Sequence, residues 1–450
     1  MKNEIAAQNG ARKIVETCLG LASGQELLIL FDETTVPVAN TFLDVAYEVG
    51  VHAAALYVPT SIQVHLDQAA DLPLTMVCAI REATSILTCV TDDQICLPFR
   101  NKIFDVGLDS RSKIGHMPGV TIDILPMANA DYQQIRADCE FLASVLLKGH
   151  DLDLITHDAG GRPYGLKVGI GGWERPPAIS DGLIERGGWA NIPPGETFVA
   201  PMEGTAEGCV VVDGSLPGYV IPHGGEIKLW FEAGRLVRYE SDDARCLEIV
   251  DDLRAFARAR DDIHWSNLAE IGLGTNPAVE LTGIELLDEK KYGTAHIALG
   301  ENNWFGGVVS SAIHTDWIIR NPIVRVDGRE IVSGGQIHSD RADWQEAHQR
   351  LVLDPAWFDG LSTVSRSGVR GDRSTGLLRR EWIDARGNPY YAQVGNDATA
   401  TKAAQIYGQI PPIDGRIELE VLLAANPDLG RAELGQLLHL MDDYELLRLT

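Results

Sequence analysis

The sequence predicts a mixed α/β protein: an α/β N-terminal domain over residues 1–157, an α+β metal-binding domain over 158–354, and a small C-terminal winged-helix-like module over 355–450. Three observations predict it. Through about residue 155, short apolar strings alternate with amphipathic stretches of helical period, the pattern of a largely parallel sheet. Near residue 160 Gly and Pro become dense and strand-type segments follow one another, as in a substantially antiparallel domain. After Ser362–Ser374, a linker rich in Ser, Gly and Arg, helical spacing returns and the chain closes on a short apolar strand.

Taken in order, Ala11–Leu21 has the amphipathic spacing of a helix, and Glu26–Phe31 (ELLILF) is a short apolar strand ending at Asp32. Val38–Val49 is helical, His52–Val58 and Ser85–Val90 are strands, and Tyr132–Leu147 is a longer amphipathic helix followed by Asp153–Thr156, the last strand of the parallel pattern. In the second region Cys209–Val212, Glu226–Phe231 and Leu236–Tyr239 are strands, and Ala244–Arg258 is a helix. Glu270–Leu273, His296–Leu299 and Ile313–Ile319 are further strands. Asp327-Gly328, between apolar residues, marks a tight hairpin over Val324–Ile331. In the third region Arg380–Val394 reads as a hairpin turning at Gly387-Asn388-Pro389. Leu419–Ala424 and Ala432–Met441 have helical spacing on either side of a break at Pro427–Gly430, and Tyr444–Thr450 is the closing strand.

A chain of 450 residues, 45% of them hydrophobic, is too long for one small core. No apolar run approaches the roughly 20 residues that span a bilayer, and the first residues, MKNEIAAQNGARK, lack a signal peptide's apolar centre. A cytoplasmic protein is expected. Its seven cysteines, Cys18, Cys78, Cys89, Cys96, Cys139, Cys209 and Cys246, are scattered and never spaced C-x-x-C, so they read as reduced, buried thiols. The net charge of −26 repels nucleic acid and anionic membranes; it reads first as a means of solubility, and as the lesser alternative it favours cationic substrates, such as peptides with a free amino end. Gly160–Pro163 and Gly169–Gly172 lack the spacing and the lysine of a phosphate-binding loop.

Four glycine-rich turns beside short strands concentrate ligand-type residues: Asn191–Pro201 with Glu196, Ala269–Pro277 with Glu270, Gly293–Gly300 with His296, and Ser311–Asp316 with His314 and Asp316. His314 and Asp316 are two apart on a strand, hence on one face, where an imidazole and a carboxylate can share a divalent ion. His296 lies in an apolar strand and needs a partner or a metal there. Singly, each is more often an ordinary core or surface residue. The signal is their joint occurrence in one domain, four of the five close to glycines. The other histidines, among them His116, His157, His264 and His338, read as core or surface residues, with His223 the exception to watch.

At these segments the sequence resembles the thermophilic metallo-aminopeptidases typified by aminopeptidase T and aminopeptidase S, over roughly residues 10–340. Gly195-Glu196 followed by Ala200-Pro201, the Leu268–Gly272 strand, and Asp288-Glu289 followed by His296-Ile-Ala-Leu-Gly300 and then His314-Thr-Asp316 stand in the family's order. The resemblance implies that Glu196, Glu270, His296, His314 and Asp316 hold two divalent ions (Zn, Co or Mn). It also implies that the substrate is a peptide or small amide attacked by a metal-activated water, that Asp288 or Glu289 holds its amino group, and that the protein is a homo-oligomer, a homodimer by expectation. In the family a tyrosine follows the third ligand by seven positions, where this chain has Asn303. The Ala206-Glu-Gly208 and Gly306-Gly307 turns resemble a related branch, the 2,5-dihydroxypyridine dioxygenases, and imply as the alternative a single Fe(II) held by two histidines and an aspartate in a ring-cleaving oxygenase. A third alternative is a peptide-tailoring protein on the same scaffold. The last domain lies outside both resemblances.

Overall fold

In the computed structural model the described residues are 2–65, 72–90, 97–172 and 175–339, and in the C-terminal part 363–366, 371–372, 379–383, 389–393, 397–410, 416–427, 434, 437–438, 441 and 446–449. The chain divides into two compact units, Met1–His338 and Ser339–Thr450.

The first unit opens with a five-stranded parallel sheet. Its order is β2 (His52–Tyr57), β1 (Glu26–Phe31), β3 (Ser85–Cys89), β4 (Lys113–His116) and β8 (Trp189–Asn191). From Leu27 to Phe31 β1 is apolar because both of its faces are covered. Leu27 and Ile29 join a core with α1 (Lys2–Lys13, continued by a wider turn over Ile14–Cys18) and α2 (Val36–Val49). Leu28 and Leu30 join the opposite core with α4 (Leu74–Glu82) and α5 (Leu97–Asp109), α3 (Thr60–His65) preceding them in the chain. The first helix starts nine residues before the predicted Ala11, at Lys2. Its early core contacts come from Ala7 and Ala11, too small to leave an apolar signature.

Asp151–His157 (β5) corrects the reading that it closes the parallel pattern. It pairs antiparallel with β6 (Pro163–Gly169) and β18 (Ile323–Val326). They form the middle of an eight-stranded antiparallel sheet with β10 (Glu207–Val212), β13 (Ile227–Glu232), β14 (Arg235–Glu240), β19 (Arg329–Ser333) and β20 (Gln336–Ile337). Along β5 Leu152, Leu154 and Thr156 are buried and the residues between them are more exposed, the alternation of a strand with one covered face. The β18–β19 hairpin turns at Asp327 (φ 48°) and Gly328 (φ 80°), both left-handed as a two-residue turn of this type requires.

A seven-stranded antiparallel sheet completes the unit: β12 (Tyr219–Val220), β11 (Ser215–Leu216), β17 (His314–Ile319), β16 (Ala295–Gly300), β15 (Leu268–Gly274), β9 (Glu196–Val199) and β7 (Ala178–Ser180). Helices α6 (Tyr132–Lys148), α7 (Ala244–Arg258) and the single turn α8 (Glu285–Asp288) complete it. Among the described residues no helix is long and apolar enough to cross a membrane.

In the second unit, β21 (Thr363–Arg366) lies between β25 (Arg416–Glu418) and β26 (Leu447–Leu449), and β23 (Arg379–Ile383) lies between β22 (Gly371–Asp372) and β24 (Pro389–Gln393). Helices α9 (Asp397–Gln409) and α10 (Leu419–Ala425) contribute Ala403, Ile406, Tyr407 and Leu422 to a core of its own. The β23–β24 pairing agrees with the expected hairpin, whose turn at Gly387-Asn388 lies outside the described residues. Two stretches of the supposed linker are strands, β21 and β22, and the rest of it lies outside the described residues, as do most of Ala432–Met441 and the Asp428–Gly430 break.

Candidate metal centre

All five residues singled out in the sequence lie on four adjacent strands of the seven-stranded sheet, β9, β15, β16 and β17. The register puts them on one face. Glu196 pairs with Gly274, Gly272 with His296, Glu270 with Ala298, Ala298 with Asp316, and Gly300 with His314. Because alternate residues share a face, Glu270, Gly272 and Gly274 point the same way, as do His296, Ala298 and Gly300. The positions between the polar side chains are therefore glycine or alanine. A Cβ on Gly272 would collide with the His296 imidazole, so glycine is what lets that ring lie across β15.

The donor atoms converge. His296 Nε2 lies 3.1 Å from Glu270 Oε1 and 3.6 Å from Glu196 Oε2. His314 Nε2 lies 3.4 Å from Glu270 Oε2 and 3.8 Å from Asp316 Oδ2. Ligands that each sit about 2.0–2.2 Å from one ion are spaced roughly 3.0–3.6 Å apart, so this is the spacing of a donor set around a cation. Three groupings can each enclose an ion: Glu196–Glu270–His296, Glu270–His314–Asp316 and Glu289–His296–Asp316. Glu270 belongs to two of them and can face both positions. The His314 Nδ1 hydrogen bond to the Glu301 carbonyl, 2.7 Å, makes Nδ1 the donor and leaves Nε2 free as a ligand. Glu196 Oε2 is buried with no hydrogen-bond partner among the described residues. A buried, unpartnered carboxylate oxygen inside a ring of donors is the vacancy a cation satisfies.

Three further acidic or basic residues complete the ring: Glu289, which the sequence offered only as a holder of a substrate amino group, and Glu285 and Lys290, of which local sequence gave no sign. Glu289 and Lys290 follow α8 and are buried beneath the same face, and Glu285 accepts a hydrogen bond from the Asp316 amide. Lys290, fully buried, donates to Glu196 Oε1 at 2.5 Å and to Glu289. Asp288-Glu289-Lys290-Lys291 reads as a solvated charge run, and only its closeness to His296 points to burial. Asp288 is tied to the amides of Thr282 and Gly283 and to the Thr282 hydroxyl, and Glu289 to Lys290. Both carboxylates that were expected to hold a substrate amino group are thus engaged within the protein.

Burial and crowding shift every titration in the ring. Burial, then the Glu289 charge, pushes the Glu196 carboxyl up, and burial raises Asp316. Burial raises Glu285 and Glu289 to about 7 each. Burial would raise Glu270 too, but hydrogen bonds from His296 and His314 outweigh it and hold Glu270 low. Burial opposes charge on both imidazoles, yet the Glu270 hydrogen bond and the charges of Asp316 and Glu270 lift His296 to about 9, and Asp316 and Glu270 hold His314 well above its ordinary value. A bound cation favours the charged form of each of these crowded, buried carboxyls.

Access comes from one side. The His314 side chain is 22% exposed while those of His296, Glu270 and Glu196 are at most 6% exposed. Trp304 and Phe305 pack edge-on against the His314 ring, with centroids 5.7 and 5.8 Å away, and Asn303 lies in the same turn between β16 and β17. That turn is anchored by Arg175, which pairs with Glu203 and donates to the Gly306 carbonyl at 2.6 Å, and by Asn302, which donates to Glu203. His223 is exposed and lies outside the ring. His116 is a core residue, bonded to Thr88 at 2.7 Å.

No protein-family model matches the chain, and no curated protein sequence matches it. Among solved structures it is similar to 2,5-dihydroxypyridine dioxygenase from Pseudomonas putida KT2440, with TM-score 0.58 and 16% identity over 75% of this chain and 99% of that one. It is similar also to wild-type AmpT, an aminopeptidase T, from Thermus thermophilus, with TM-score 0.51 and 17% identity over 74% of this chain and 99% of that one. At such identities the likeness is one of fold.

Proposed function

We propose that this chain is a metal-dependent enzyme that hydrolyses a peptide or small amide bond, with a divalent ion held by Glu270, His314 and Asp316 and with His296 and Glu196 facing the same pocket. The observation that carries the reading is the convergence of these residues, from four adjacent strands, on one face of a sheet cleared of bulk by glycine and alanine. Both fold neighbours bear the names of enzymes, which supports catalysis without choosing the reaction. The donor chemistry supports hydrolysis over ring cleavage. Each grouping that can enclose an ion joins one imidazole to two carboxylates, whereas a mononuclear iron oxygenase uses two imidazoles and one carboxylate.

A divalent ion bound there supplies a Lewis acid for the scissile carbonyl and a water acidified towards neutrality. The protein's own groups do the rest. Glu270 turns one oxygen to each imidazole and fixes both rings. Glu196 Oε2, unpartnered and inside the ring, is the base placed to accept the water's proton. The half-buried His314 edge, walled by Trp304 and Phe305, is where the substrate enters. The test is a panel of amino-acid amides and short peptides with zinc-, cobalt- or manganese-loaded protein. Asp316→Asn and His314→Ala are expected to lose the ion and at least about 100-fold in turnover. Wild-type-like turnover by either variant, or oxygen uptake by a ferrous form of the wild type, overturns the reading.

A further inference from the structure

We infer that the Lys290 ammonium takes the place of a second metal ion, so that the centre holds one divalent ion, at Glu270–His314–Asp316, rather than two. The inference rests on the metal-enzyme reading above and concerns how the ring is shared between protein and metal.

The argument comes from which carboxylates Lys290 engages. Of the three groupings able to enclose an ion, one uses Glu196 and another uses Glu289. Lys290 forms ion pairs with those two carboxylates, at 2.5 Å to Glu196 and closer to Glu289. It therefore occupies one member of each of these two groupings. The third, Glu270–His314–Asp316, has no ion pair with Lys290 among the described residues and stays whole. That third grouping also contains the one partly exposed ligand, His314, so it is the one an ion can reach from solvent.

Charge points the same way. Lys290 has no exposed surface, and its tie to Glu196 leaves Glu196 Oε1 committed. A divalent ion between Glu196 and His296 would sit within a few ångström of a buried ammonium, two cations repelling in a dry interior. An ammonium fixed by the chain needs no uptake from solution. It holds Glu196 with one oxygen and leaves the other, Oε2, inside the ring as the base. Lys290 is in this sense a positioning residue, acting through Glu196.

The experiment is metal stoichiometry on the full chain, stripped with chelator, reloaded with zinc or cobalt, dialysed and analysed for metal per chain. One ion is expected in the wild type and in Glu196→Gln, none or a small fraction in Asp316→Asn, and a second ion in Lys290→Gln. Two ions in the wild type, an unchanged count in Lys290→Gln, or loss of the ion in Glu196→Gln overturns the inference and leaves the metal-enzyme reading standing. No ion in the wild type overturns the reading itself. Removing a buried cation can unfold the chain, so melting curves accompany each variant. If Lys290→Gln does not fold, the Glu196→Gln and Asp316→Asn pair decides alone.

Discussion

At the scale of single residues, the structure separates two kinds of buried histidine. His296 and His314 are surrounded by carboxylates and held above the ordinary histidine value. His116 sits on the parallel sheet, its Nδ1 2.7 Å from the Thr88 hydroxyl and its ring edge-on to Phe104 at 5.2 Å. Burial, aided by the Arg100 charge, pushes it down to about 3. The unfolded chain takes up that proton near 6.5 and the folded chain does not, so between these values acid favours unfolding. His116→Asn keeps a polar partner for Thr88 and removes the titration. The wild type is expected to lose stability relative to this variant on acidification from pH 7 to 5, by up to about 1.4 kcal/mol per pH unit. Paired thermal melts across that range measure it, and a gap that does not change with pH refutes it. The convergence of the five residues was legible because acids and imidazoles in apolar, glycine-flanked strands need a partner there. Lys290 was not, because its burial is set by the packing of α8 beneath a distant sheet and leaves no local mark.

At the scale of elements, the centres of the long apolar strands were legible, while short strands such as β4, β8 and β9 and the pairings were not. β1, β3, β16 and β17 fall within a residue or so of the predicted strands, since apolar strings bounded by turns fix a strand. Which sheet receives a strand depends on distant partners, and β5 joining β18 across more than a third of the chain has no local signature. The glycines carry what the strings do not. Gly272 gives the His296 ring its room, so Gly272→Ala forces ring or strand to move. The expected cost is about 1–3 kcal/mol, as for an overpacked core, with weaker ion binding because Glu270, 3.1 Å from the His296 ring, loses the partner that fixes it. Gly165, on β6, is the control: a Cβ there meets nothing within 4 Å, so Gly165→Ala is expected to change stability by less than about 0.5 kcal/mol. Calorimetric melting and ion titration of the two variants compare them. Equal, small effects would mean that the close approach over Gly272 is not a constraint.

At the scale of the whole molecule, every residue of the centre belongs to the unit Met1–His338. Among the described residues each buried apolar cluster falls within one unit. Those around β1 draw on residues up to Leu287, the aromatic cluster by His314 on Phe198 and Phe305, and the C-terminal cluster on Ala403 through Leu447. A core that recruits no distant member folds without it. The eight-stranded sheet ends at β20, Gln336–Ile337, so a cut after Ser339 removes no strand from it. A fragment ending there is expected to fold, bind the ion as tightly as the full chain and keep whatever small-amide hydrolysis the full chain shows. What it loses belongs to the C-terminal unit. A selective loss of activity on longer peptides would make that unit a substrate-holding module, and unchanged activity would leave it a passenger. An insoluble fragment, or a soluble one with an empty centre, would show that residues beyond Ser339 complete a core that the clusters assign to the first unit alone.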